Sequence, residues 1–165
     1  MKKLIPILAL SLLTALPSLA RLGETKAECE TRYGKPVGTT KSGNPRYLKG
    51  GLEIVIAFAK DKAITLYIAK PKDGTTELDL PIVLDSEGRP ELSKAEIDAL
   101  LKANSAGSEW KLGTDDPFGD AYWNRADGKA TASYASAKME ISDKAALHKG
   151  AGEKPTEEPV DLEGF

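Results

Sequence analysis

The chain has 165 residues, with 23 basic and 25 acidic side chains, one His and one Cys. That length suits one domain with a modest core. A net charge of −2 excludes the basic footprint of a nucleic-acid binder and any strong pull toward an anionic membrane surface, and a lone cysteine excludes an intramolecular disulfide.

Residues 1–20 read as a cleaved export signal. Lys2 and Lys3 form a positive start, a short apolar run interrupted by Pro6 and Pro17 follows, and Ser18-Leu19-Ala20 is a small-x-small cleavage site before Arg21. The run is too short for a comfortable membrane span of about 20 residues. No cysteine directly follows the cleavage site, so lipid attachment is not expected. The mature protein is expected in the periplasm or outside the cell, with no stable membrane insertion.

Thr25-Lys26-Ala27-Glu28 is a capping box, in which hydroxyl and carboxylate each satisfy an orphan backbone N–H. It predicts a helix from Lys26 to Tyr33, ended by Gly34 and blocked by Pro36. Cys29 and Tyr33, four apart, form its inner stripe. Residues 37–46, rich in Gly, Thr, Ser and Asn, read as a loop or weak edge strand.

Leu52, Ile54, Ile56 and Phe58 alternate with Glu53, Val55 and Ala57, which predicts a strand. Ile64, Leu66 and Ile68 predict a second. A three-residue loop, Lys60-Asp61-Lys62, pairs Phe58 with Ile64, Ile56 with Leu66 and Ile54 with Ile68. The opposite face then carries Glu53, Val55, Ala57, Thr65 and Tyr67, which is either a contact surface or an ordinary mixed face. Residues 76–84 alternate apolar positions around Pro81, as an edge strand would, and 85–90 form a turn.

Ser93-Lys94-Ala95-Glu96 is a second capping box. It predicts a helix over 94–103, with Ile97, Leu100 and Leu101 inward and Leu92 stapled to Ile97. Residues 121–125 and 130–135 predict a hairpin with a type I′ turn at Asp127-Gly128. Trp123 opposes Ala132, and Tyr122, Asn124, Thr131 and Ser133 make a wet face. Residues 138–142 add a short strand, and 143–149 a helical turn or two. Residues 151–165, with two prolines and five acids, read as a disordered acidic tail. Its end, Leu162-Glu163-Gly164-Phe165, is either a recognition peptide or a frayed terminus.

The opening Leu22-Gly23-x-Thr25 and closing Gly34-Lys35-Pro36 resemble the BamE/SmpA type of small envelope protein and the β-lactamase-inhibitor-like fold. That resemblance covers about 16 residues and implies binding proteins that repeat a helix-plus-sheet unit. The second copy lacks the Gly-Lys-Pro ending, and the absent lipid cysteine departs from the envelope lipoproteins. Trp123-x-Arg125-x-Asp127-Gly128-x-Ala130-x-Ala132-x-Tyr134 and the Gly-Phe end are also similar to a family of uncharacterised exported bacterial proteins, which brings no activity with it.

No catalytic set emerges. His148 sits near the tail without a rigid scaffold. One Cys and one His do not make a zinc site. Asp115, Asp116 and Asp120 lack the spaced pattern of a calcium loop, and Pro117 and Gly119 explain them as a turn. No phosphate-binding glycine loop opens a helix.

The sequence therefore predicts an α+β fold: two pseudo-repeats, about 21–85 and 90–142, each a short helix packed on an antiparallel β-sheet, within one domain of residues 21–150. The expected core is Cys29, Tyr33, Ile54, Ile56, Phe58, Ile64, Leu66, Ile68, Ile97, Leu100, Leu101, Trp123 and Tyr134. The expected function is a non-catalytic, protein-binding module of the cell envelope, with neither cofactor nor metal, whose contact residues are Val55, Thr65, Tyr67, Tyr122 and Phe165. Its rivals are a carboxylate-based hydrolase and a structural envelope protein without a specific ligand.

Overall fold

A computed structural model of the chain describes residues 21–72, 89–115 and 120–150. The export signal, the strand expected around Pro81, most of the Asp-rich turn and the acidic tail with Phe165 lie outside the described residues. The elements run α1 (Lys26–Tyr33), β1 (Gly38–Thr39), β2 (Pro45–Lys49), β3 (Leu52–Ala59), β4 (Lys62–Ala69), α2 (Lys94–Ala103), β5 (Trp110–Asp115), β6 (Ala121–Arg125), β7 (Ala130–Ala135), β8 (Lys138–Asp143) and α3 (Lys144–Gly150).

The expectation of two helix-on-sheet pseudo-repeats is overturned. The strands form one eight-stranded sheet in the order β1-β2-β3-β4-β8-β7-β6-β5, antiparallel throughout. The junction is β4 with β8, where Leu66 faces Ile141 and Ile68 faces Met139. Left apart, β4 and β8 would each present an open edge, and pairing removes both. A single core cluster reaches from Cys29 on α1 through Ile54 and Leu66 to Leu100 on α2 and Ile141 on β8. The similar capping boxes encode only where helices start.

Both boxes form. Thr25 Oγ1 accepts from Glu28 N (3.2 Å) and Thr25 N donates to Glu28 Oε2 (2.8 Å). Ser93 Oγ accepts from Glu96 N (3.3 Å) and Ser93 N donates to Glu96 Oε2 (2.6 Å). These bonds favour the ionised acids and hold both carboxyls below their ordinary range. Gly34 ends α1 at φ 87°, a conformation that costs glycine little.

The first hairpin corrects the loop. Ile54 pairs with Ile68 and Ile56 with Leu66, as the alternation requires, but Phe58 pairs with Ala63. The loop has two residues, Lys60-Asp61, at φ 49° and 60°, as a type I′ turn demands. A bulge beyond Ala57/Phe58 then restores the apolar register. Ala63, not Ile64, joins the core. The second hairpin has the expected strands, with Trp123 opposite Ala132, but not the type I′ turn. Gly128 N donates to Arg125 O (2.8 Å), and of Asp127 and Gly128 only the glycine has positive φ. The Asp127 carboxylate holds this longer loop by accepting from Arg125 Nε (2.9 Å) and Lys129 N (3.0 Å).

Of the expected core, Phe58, Ile97 and Trp123 pack against its border. Tyr47, Leu52, Leu92, Met139 and Ile141 are buried in addition. Tyr47 belongs to β2, inside the stretch expected to be a loop or weak edge, and its ring lies 5.3 Å from that of Tyr33.

Candidate functional site

Successive residues of a strand point to opposite faces. Because Tyr47, Ile54, Leu66, Met139, Tyr134 and Trp123 face the helices, their neighbours form a second face. Its central row, read across paired strands, is Arg46–Val55–Tyr67–Glu140–Ser133–Tyr122. A parallel row runs Leu48–Glu53–Ala69–Lys138–Ala135, and a third runs Ala57–Thr65–Ser142–Thr131–Asn124.

This face has a closed half and an open half. On β2, β3 and β4, Arg46, Glu53, Val55, Thr65 and Ala69 are all buried. Toward β6, Tyr122 is exposed, and Glu140, Ser133 and Asn124 are half-buried. Tyr67 stands on the border, packed against Val55 and Ala69. Its burial, and the charge of Glu140 beside it, push its phenol up to about 12.

The closed half is built on one carboxylate. Glu53 is fully buried. Its Oε1 accepts from Arg46 Nε (3.1 Å) and Nη2 (2.6 Å), and its Oε2 accepts from Arg89 Nη1 (3.3 Å). Arg89 Nη1 also donates to Lys70 O (2.9 Å). Thus both carboxylate oxygens are engaged. Ser142 Oγ donates to Glu140 Oε1 (2.9 Å) and lies 3.1 Å from Thr65 Oγ1. Lys138 is 7% exposed, and among the described residues its buried Nζ has no hydrogen-bond partner. Burial, with Arg89 nearby, lowers its pKa against the smaller opposing effect of Glu140.

The five sequence-derived contact residues separate accordingly. Val55 and Thr65 are buried, at 0% and 6% exposure, and offer no surface to a partner in this conformation. Tyr67 and Tyr122 share the central row, three strand spacings or about 14 Å apart. Phe165 lies outside the described residues. Sequence reading did not single out Glu53, Arg46, Arg89, Lys138 or Glu140. The alternation did place Glu53 on this face, but nothing local told which cations would meet it, because Arg89 is 36 residues away.

Other features are structural. Cys29 is fully buried, and burial pushes its thiol up to about 12, so it is no nucleophile at neutral pH. A cavity of about 290 Å³ is lined by Arg21, Lys102, Asn104 and Arg125. It surrounds the C-terminus of α2, where Arg125 Nη1 donates to Asn104 O (2.9 Å). Cations there complement the helix dipole. The side chain of His148, on α3, lies outside the described residues. Among the described residues no group of three His, Cys, Asp or Glu is placed to hold a metal ion, and no helix is long and apolar enough to cross a membrane.

No protein-family model and no curated protein matches the chain. Among solved structures, an extracellular protein containing an SCP domain from Bacillus anthracis is similar at 12% identity and a TM-score of 0.37. The similarity covers 93% of this chain and 53% of that protein, so this chain spans about half its length. A likeness of that degree carries no argument. The resemblance to the BamE/SmpA and inhibitor-like group has no counterpart among these matches.

Proposed function

We propose that the chain is an exported, non-catalytic, protein-binding module of the bacterial cell envelope, working through the open half of its second sheet face. The observation that carries this reading is the row Tyr67–Glu140–Ser133–Tyr122, set on four adjacent strands and facing away from the shared core. Aromatic residues suit interface cores because they bury large area at low entropic cost. The backbone ladder beneath them keeps the row in register without a partner. Export rests on the positive, apolar and small-residue pattern of residues 1–20.

The test is a photo-crosslinking residue at position 122 in intact cells, with adducts read by mass spectrometry. The reading expects one dominant protein adduct that falls at least tenfold with Tyr67→Ala or Glu140→Ala. Adducts at background level from a folded protein would overturn it, as would adducts indifferent to both substitutions.

A further inference from the structure

The cavity at the C-terminus of α2 holds more positive charge than the helix dipole calls for. Its lining carries Arg21, Lys102 and Arg125, and no acid. The helix end amounts to about half a negative charge. Two donors already cover it, Arg125 Nη1 on Asn104 O (2.9 Å) and Trp110 Nε1 on Leu101 O (2.7 Å). The Asp127 carboxylate balances Arg125. Arg21 and Lys102 are exposed, and neither forms an ion pair among the described residues. Three cations against one carboxylate and the dipole leave an excess of about one and a half positive charges.

The place is held together by bonds between distant parts of the chain. Leu22 N donates to Asn104 Oδ1 (2.9 Å) across 82 positions, which ties the neighbour of Arg21 to the end of α2. Arg125 is buried and fixed by its bonds to Asn104 and Asp127. Ser105, Ala106 and Gly107 complete the lining. Ser108 N closes their turn on Ser105 O (2.8 Å). Among the described residues the backbone N–H groups of Ala106 and Gly107 donate to nothing, so two further donors are free. A cleft lined by one sign of charge concentrates ions of the other. At about 290 Å³ it stands at the small end of ligand pockets.

We propose that this cavity binds a small phosphate dianion, free or as a monoester, met by the Arg21 fork and the Lys102 ammonium. Such a group carries about −1.5 to −2 at pH 7, which matches the excess. A lone carboxylate or a phosphodiester brings only one charge. The site lies on the helix side of the sheet, because Arg125 alternates with Asn124 of the second face. It does not rest on the protein-binding reading above.

The test titrates inorganic phosphate, and separately methyl phosphate, into the 15N-labelled full chain at constant ionic strength in chloride. The expected result is a saturable shift of the amide signals of Leu22 and of residues 102–107. Arg21→Ala and Lys102→Ala, both at exposed positions, should each weaken binding about tenfold, and together abolish it. Lys94→Ala, at the other end of α2, should leave binding unchanged. Dimethyl phosphate, with one charge fewer, should bind about tenfold more weakly than methyl phosphate. Succinate, whose two charges stand apart, should also bind more weakly. No saturable shift, or a shift that survives in the folded double variant, overturns the proposal. So does dimethyl phosphate or succinate binding as tightly as methyl phosphate. Where the proposal holds, tighter binding of methyl phosphate than of inorganic phosphate assigns the site to a monoester, and the reverse assigns it to the free anion.

Discussion

Arg46 grips one oxygen of Glu53 through both Nε (3.1 Å) and Nη2 (2.6 Å), and the carboxylate they share is wholly out of solvent. Charge-assisted hydrogen bonds to a buried acid are stronger than a surface ion pair, but their removal is also costlier. Glu53→Gln leaves the Arg46 and Arg89 guanidiniums without their shared charge on a closed face. The expected loss is about 3–5 kcal/mol of unfolding free energy, read by urea denaturation at pH 7. A loss under about 1 kcal/mol would mean that the triad is no structural centre of this face.

Lys138 should act in the opposite direction. Its folded-state pKa is lowered, chiefly by burial. Below that pKa the amine is charged in both states, and the folded state bears the full penalty. Between the folded value and the ordinary value near 10.4, only the unfolded chain holds the proton, so stability rises with pH there. In chloride buffer, Lys138→Met should therefore stabilise the fold by about 1–2 kcal/mol at pH 7. Its advantage should shrink as pH climbs toward 10. Comparing variant and parent at each pH cancels the buried tyrosines, whose raised pKa values work against stability above about pH 10. An advantage that stays constant with pH would contradict the charge argument.

Where the sequence read well, a local rule and the tertiary structure agreed. Capping boxes at Thr25 and Ser93 start helices wherever a helix is followed by burial. The alternation of Ile54, Ile56, Leu66 and Ile68 demands one register, and the sheet adopts it. Where reading failed, the decisive contact was distant. Nothing near Leu66 or Ile141 announces that they pair, because strand-to-strand choice across a separation of 75 positions is a matter of edge removal and shared core. The open face shows the same division. Alternation put Val55 and Thr65 opposite the core, correctly, but alternation assigns a face and not its exposure, and these two are covered. Tyr67 and Tyr122 were legible as polar-face aromatics. Arg89 was not, since its partners Glu53 and Lys70 are distant in the chain, and Lys138 was not, since only its burial marks it.

The β7–β8 turn is a place where sequence and geometry disagree. Ser136 and Ala137 both sit at positive φ, 51° and 59°, with no glycine or asparagine to ease them. A type I′ turn wants Asn-Gly, and an ordinary side chain in that region costs roughly 1 kcal/mol. Ser136→Asn keeps the connection and relieves part of the strain. It should raise stability by about 0.5 kcal/mol, seen as a higher urea midpoint with unchanged slope. Ser136→Val, β-branched at the same position, should lower it. The pair of opposite signs distinguishes turn strain from a general effect of substitution.

Tyr134 joins the sheet to the start of α2. Its hydroxyl accepts from Leu92 N at 3.0 Å. Leu92 is buried and lies just before the Ser93 cap, outside the reach of the helix's own ladder. Its N–H therefore depends on a side chain 42 positions away. Tyr134→Phe keeps the ring in the core beside Trp123 and Met139 but strands that donor. The cost should be about 1–2 kcal/mol, much more than an exposed Tyr→Phe change would bring. The telling measurement is amide hydrogen exchange. Leu92 should lose protection selectively, while Ile54 and Ile68 in the central strands fall only by the global change in stability. If Leu92 exchanged no faster than those strands allow, the bond would not be what ties α2 to the sheet. If it did, then the approach of α2 to the core would be fixed at two points, the Ser93–Glu96 box within the helix and the Tyr134 phenol from the sheet.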